Sequence, residues 1–449
     1  MTDGATSSTA QPRRHVSEAY IVMLAVAMVV GAGIFKSPSL VAENAGSTEW
    51  LFAAWLIGGL VSLIGALCYA ELASAFPDAG GDYHFLKRAY GREVGFLFAW
   101  SRFAIINTGS IALLGFTFGD YMQEVVSFGA HGGAIWAILA VAALTILNLR
   151  GMKREGAGDF ALTGLEVVGV LMMGVAAIWM VVNAMPPASA SAAATGGPPD
   201  SFGYALVFAL LAYGGWNEVA TLSAEVRDPK RGIARALIVS VLVITALYMF
   251  AAWAFWRGLG IEVLAKSTAP AADLMAQAFG PHAGWLTAIA IACAAFTSIN
   301  ATIIVGGRTT YAAAHDWSAL AKLGRWDGER AIPTAAYIAQ GAVSMLLVLL
   351  GAFYDGFSTL VDYTAPVFWL FMAASGLAVI VLRFREKDAI RPFRTPLYPV
   401  LPLAFAGASI AMVWSSLAYV REGAWFGFGV VAAGGVVMAA LNVMGKRTA

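Results

Sequence analysis

The sequence predicts an all-helical (all-α) integral membrane protein with twelve transmembrane helices. Three observations lead there. Apolar residues make up 59% of the 449 residues and charged residues only 12%, about half the charged share of an ordinary soluble chain. The apolar residues gather into runs close to the ~20 residues a helix needs to cross the hydrocarbon core. Lys and Arg collect in alternate connections between those runs, as expected of loops retained on the inner side.

In order, the predicted spans are Glu18–Glu43, Trp50–Phe76, Gly95–Val126, Ala134–Leu149, Phe160–Met185, Phe202–Glu225, Ile233–Trp256, Trp285–Ala314, Thr334–Phe353, Ser358–Leu382, Leu397–Tyr419 and Trp425–Val443. Trp, Tyr and Phe recur near their ends, where interfacial aromatic belts form. With the first residues inside, every Lys and Arg except Lys36, Arg102, Arg257, Lys266 and Arg421 falls on the inner side. An odd number of spans would destroy that asymmetry. The expectation is therefore a multi-pass inner-membrane protein with both termini cytoplasmic. The polar segment 1–17 reads as a disordered cytoplasmic tail, because the apolar run after it is too long for a signal-peptide core and no cleavage site follows.

The Ala-, Ser-, Pro- and Gly-rich stretch from Pro186 to Asp200 separates five spans (18–185) from the next five (202–382), leaving two added helices at 397–444. The first span of each block is interrupted midway by glycine, at Gly31-Ala32-Gly33 and at Gly214-Gly215. Two glycines in one turn weaken a helix by roughly 1 kcal/mol each relative to alanine. Five is odd, so the blocks would lie in opposite orientations. Matched broken helices in inverted repeats are the sequence pointer to a substrate site at the repeat interface. Around Val29, Gly31, Ala32, Gly33 and Ile34, unwinding frees N–H groups at the start of a half-helix, whose positive end suits a carboxylate. Around Leu211, Ala212, Gly214 and Asn217 it frees carbonyls that can accept from an ammonium group. Together the two breaks would recognise a zwitterion.

At these residues the chain resembles the amino acid-polyamine-organocation superfamily, in the branch of L-type amino acid transporters and their bacterial relatives. Gly31-Ala32-Gly33-Ile34-Phe35 is similar to the family's Gly-Ser-Gly-Ile-Phe signature. Glu71, Pro77 and Gly80-Gly81-Asp82-Tyr83 resemble its loop after the second span. Tyr213-Gly214-Gly215-Trp216-Asn217, with Glu225-Val226-Arg227-Asp228-Pro229, is similar to its sixth span, and Asn300 with Arg308 to Tyr311 to its eighth. The resemblance implies a five-plus-five inverted-repeat fold with two added helices, and sodium-independent uptake or exchange. It implies that Val29, Ala32, Gly33 and Ile34 meet the substrate carboxylate, and that Leu211 and Gly214 offer carbonyls to its amine. Three positions depart from the family pattern. Ala32 stands for a serine, Leu211 for a large aromatic that closes over substrate, and Glu166 for a lysine that takes the place of a bound cation.

An acid inside a membrane is costly unless paired, hydrated or protonated. Glu166 and Glu218 are thus candidates for coupling transport to a proton or cation, with a solvated inner position as the alternative for each. Arg102 reads as a structural partner for an acid or a snorkelling residue, Lys36 as an outer-vestibule charge or half of a salt bridge, and Glu71 as a brace at the inner end of the second span. Asn107, Thr108, Asn217, Ser298 and Asn300 are polar groups in apolar spans that either line the side-chain pocket or hold helices together.

The function expected is secondary active transport of small or neutral L-amino acids by alternating access, as a permease working by proton symport or as an antiporter. A cationic amino acid or polyamine is the alternative cargo, and an amino acid sensor on a transporter fold is the alternative of another class. Enzyme motifs such as His-Glu-x-x-His, Gly-x-Ser-x-Gly and the phosphate-binding Gly-x-x-x-x-Gly-Lys are missing, and His15, His84, His131, His282 and His315 are scattered. No cofactor, metal or nucleic-acid partner is expected. The partners expected are the amino acid, protons and the lipid bilayer. Cys68 and Cys293 both lie in spans, so no disulfide-linked accessory subunit is indicated.

Overall fold

A computed structural model describes residues 18–78, 80–150, 157–188, 198–224, 232–315, 317, 321–327, 332–354, 356–420 and 422–447. The predicted tail, most of the linker between the five-span blocks, and the segment from Glu225 to Arg231 lie outside the described residues. Among those residues all regular structure is helical, apart from one antiparallel bridge between Asp327 and Ile332.

The chain begins with α1 (Glu18–Val29), a 3-10 turn (Ala32–Phe35) and α2 (Ser37–Ala45). Then come α3 (Thr48–Ala75), the short α4 (Asp82–Tyr90), α5 (Arg92–Ser101), a π-helical turn (Arg102–Ile106), α6 (Asn107–Gln123), α7 (Gly132–Leu149) and α8 (Ala157–Val182). The second half holds α9 (Phe202–Ala212), a 3-10 helix (Trp216–Ala224), α10 (Gly232–Lys266), α11 (Pro270–Phe279), α12 (Pro281–His315), α13 (Thr334–Ala352), α14 (Gly356–Arg385), α15 (Val400–Val420) and α16 (Glu422–Arg447).

Nine stretches among the described residues are long and apolar enough to cross a membrane: Thr48–Ala75, Arg92–Gln123, Gly132–Leu149, Gly232–Lys266, Pro281–Tyr311, Thr334–Ala352, Gly356–Arg385, Val400–Tyr419 and Gly423–Val443. They match the second to fourth and seventh to twelfth expected spans. The first and sixth are the interrupted helices, whose pieces are each too short by themselves. In the fifth, the apolar stretch runs over Val167–Val182. The seventh exceeds its predicted end at Trp256, because α10 continues to Lys266 through a bend at Gly260 (φ 72°).

Lipid tails are as apolar as leucine, so helices in a bilayer hold together by close packing and polar contacts. The chain does this with small residues along α3. A methyl built on Gly59 would stand 2.5 Å from Thr245 Cγ2 of α10, and one on Gly58 would stand 2.9 Å from the Tyr213 ring. That ring completes a buried aromatic group with Trp55 and Tyr248, with centroids 4.9 Å apart for Tyr213 and Tyr248 and 5.6 Å for Trp55 and Tyr248. At the far end of α3, Glu71 is 2% exposed and acts as the expected brace. It accepts from Arg383 Nε at 2.7 Å and Nη2 at 2.6 Å, and from the Thr395 N–H at 2.7 Å.

Candidate functional site

The two glycine interruptions are both real breaks, and they meet. After Val29 the helix stops with Gly31 in extended conformation (φ −103°, ψ −162°) before the 3-10 turn begins at Ala32. The N–H groups that open a helix have no partner within it, so the Ala32 and Gly33 end offers donors. After Ala212 the chain passes through Tyr213, Gly214 and Gly215 before helical structure resumes at Trp216. Gly215 has φ +112°, in the region that a side chain makes costly. A methyl there would stand 2.9 Å from the Met28 carbonyl oxygen, and one on Gly33 would stand 3.9 Å from Ala212 Cα. A bulkier residue at Gly215 would push the two backbones apart.

One side chain ties the breaks together. The hydroxyl of Tyr248, buried in α10, contacts the Val29 carbonyl at 2.7 Å and the Ala212 carbonyl at 2.9 Å. Sequence reasoning missed this residue, since a tyrosine inside an apolar run gives no sign of which backbone it will reach. On the α12 side, Ser298 lies against the first break, its Oγ 3.7 Å from where a Gly31 methyl would be. Leu211 is half-buried, and its carbonyl accepts from the Gly214 N–H at 2.9 Å.

Above this junction Lys36 Nζ pairs with Asp120 Oδ2 at 2.6 Å and donates to the Thr268 carbonyl at 3.1 Å. That salt bridge answers the question the sequence left open for Lys36. The Tyr121 hydroxyl donates to the Phe35 carbonyl at 2.7 Å, fastening the end of the 3-10 turn to α6.

Below it, the other expected site residues divide. Glu218 pairs with Arg102 at 2.8 Å, so Arg102 takes the structural role expected of it. Asn217 is 4% exposed and donates to Asp82 Oδ2 at 2.9 Å. Asn107 donates to the Thr302 carbonyl and to Gln340, both at 3.3 Å, linking α6 to α12 and α13. Asn300 accepts from Asn148 at 2.8 Å, linking α12 to α7. These bonds of Asn107 and Asn300 join helices, in keeping with the second of the two roles considered for them. Glu166 lies within α8, but its side chain is outside the described residues. Among the described residues no group of three or more His, Cys, Asp or Glu side chains could hold a metal.

Sequence comparison supplies the context for this geometry. Residues 19–441 match the family model described as amino acid permease. Relatives include the large neutral amino acids transporter small subunit 2 of Mus musculus, 28% identical over 407 residues that cover 87% of this chain and 74% of that one. The serine/threonine exchanger SteT of Bacillus subtilis is 26% identical over 90% of this chain and 91% of its own. The b(0,+)-type amino acid transporter 1 of Mus musculus is 25% identical over 90% and 82% respectively.

Proposed function

Because the chain belongs to the amino acid permease family, we propose that it is a secondary active carrier of small or neutral L-amino acids, working by alternating access. The observation that carries this reading is the meeting of two broken helices at Tyr248, with donors from the Ala32 and Gly33 end and carbonyls from Val29, Leu211 and Ala212. A substrate carboxylate sits at the first set and its ammonium at the second, while Ser298, Leu211 and Asn217 bound the side-chain side. Ile34 and Gly214 shape the backbone around it.

The broken pair α1 and α2, the helix α8, and the broken α9 with its 3-10 helix complete twelve spans with the nine long helices. The first five and the next five form inverted repeats, α15 and α16 are additions, and both termini face the cytoplasm of an inner-membrane protein. The distribution of Lys and Arg supports that orientation. Arg102 with Glu218 then latches the inner side, and Lys36 with Asp120 the outer side. Opening one while the other holds is the alternation.

Glu218 already has a cation in Arg102, so it offers no counter-charge to a cationic amino acid or polyamine, which favours a neutral cargo. Cys68 and Cys293 lie within helices, which supports a carrier that needs no disulfide-linked partner. Transport is sodium-independent, as proton symport or exchange. The test is uptake of labelled amino acids and polyamines into liposomes holding the purified protein. Saturable uptake of serine, alanine or leucine that excess arginine or putrescine leaves unchanged supports the reading. Binding without uptake would make the protein a sensor and overturn it.

A further inference from the structure

We propose that Asp82 is the proton-carrying group of this carrier, taking up a proton while packed beneath the second break and releasing it when that packing opens. The inference rests on the carrier reading above and assigns its coupled ion and that ion's site.

Asp82 opens α4 and is 4% exposed. Its Oδ2 accepts from Asn217 at 2.9 Å, and its Oδ1 accepts from Ser375 at 3.2 Å and from the Tyr69 hydroxyl. The groups around it come from α3 (Tyr69), α14 (Ser375), the 3-10 helix after the second break (Asn217, Glu218) and the π-helical turn (Arg102). Two acids, Asp82 and Glu218, thus share one basic neighbour among the described residues. Arg102 spends its ion pair on Glu218. Asp82 is left with neutral donors and no cation of its own, and a buried charge so placed is relieved by binding one proton. No other reactant is needed: the carboxylate becomes a carboxyl and later gives the proton back.

Burial pushes the Asp82 carboxyl above the ordinary carboxylate range. The hydrogen bond from Tyr69, the bond from Asn217 and the charge of Arg102 pull it back, and the charge of Glu218 raises it further. Opening the cluster to water removes the burial and lowers the proton affinity. Proton binding and the packed state therefore favour each other by the same free energy.

The link to substrate is built into the backbone. The loop before α4 is stitched to the 3-10 helix that follows the second break. The Asp78 N–H donates to Ser223 Oγ at 3.1 Å, a methyl on Gly81 would stand 2.8 Å from Thr221 Cγ2, and Asp82 holds Asn217. A substrate that moves the break moves Asn217, and with it the environment of Asp82.

The experiment uses the full chain in liposomes with a pH-sensitive dye in the lumen and labelled L-serine outside. The native protein acidifies the lumen as serine enters. In Asp82→Asn the protons carried per serine fall to none and the pH profile of uptake flattens, while Asp82→Glu restores acidification. If Asp82→Asn does not fold, Tyr69→Phe and Ser375→Ala decide. Each removes a donor to the ionised form, so the falling limb of the pH profile moves to higher pH. Unchanged acidification in Asp82→Asn, or an unmoved limb in both donor variants, overturns the proposal. Serine uptake without acidification by the native protein overturns it too and leaves the carrier reading standing. No uptake of any amino acid overturns the carrier reading itself.

Discussion

Arg102 and Glu218 lie 2.8 Å apart, and each stands on a segment that has left α-helical geometry. Arg102 begins the π-helical turn in the third span, and Glu218 sits in the 3-10 helix beyond the second break. Both side chains are mostly enclosed, at 15% and 22% exposure. Removing one partner from such a pair strands the other. Arg102→Ala is expected to cost about 3 kcal/mol of stability. The double variant with Glu218→Ala should lose less than the sum of the two single losses. Thermal unfolding in detergent checks both statements.

Gly215→Ala places a methyl 2.9 Å from the Met28 carbonyl on a residue with φ +112°. The expected loss is about 1–3 kcal/mol, with the melting temperature falling accordingly. Gly429→Ala, where no atom stands within 4 Å of the added methyl, should leave the melting temperature where it is or raise it slightly.

Tyr248→Phe removes the hydroxyl that bridges the Val29 and Ala212 carbonyls. The aromatic packing with Trp55 and Tyr213 survives, so folding should be retained. The KM for a neutral amino acid should rise by about tenfold, equivalent to roughly 1.4 kcal/mol. An unchanged KM in proteoliposome uptake would remove Tyr248 from the site.

Arg88 donates to Glu386 at 2.7 and 2.6 Å, and these bonds hold the Glu386 carboxyl below its ordinary 4.5. A carboxyl depressed in the folded state stabilises the fold above its unfolded value, and that contribution is lost as pH falls through the folded one. Acid unfolding of the native protein should therefore steepen below about pH 4.5, and Glu386→Gln should flatten that limb. The pair is partly exposed, so its effect stays below about 1 kcal/mol.

The breaks were legible because their cause is local. Gly31 with Gly33, and Gly214 with Gly215, lower helix stability within a single turn, and the structure interrupts the helices there. The long apolar helices were legible for a similar reason, since length and composition alone decide them. The partnerships across the fold were not. Asn107, Asn217 and Asn300 look alike in sequence, as amides in apolar runs. Whether each lines a pocket or joins helices depends on Gln340, Asp82 and Asn148, which lie far away along the chain. The π-helical turn at Arg102 left no mark in composition, and Asp82 stood out only as part of a loop motif until its burial and donors were seen.

The Tyr248 hydroxyl carries a single hydrogen, yet it faces two carbonyls that have each lost a helical partner. The Gly31 N–H also reaches the Val29 carbonyl at 2.8 Å, so the hydroxyl hydrogen can go to Ala212, and each carbonyl keeps a lone pair for a further donor. An ammonium group, with three N–H bonds, can donate to both carbonyls at once, whereas an acylated amine brings one. If the proposed substrate site is right, this pair of carbonyls is a filter for free amino acids over their N-acyl derivatives, set before any side chain is read.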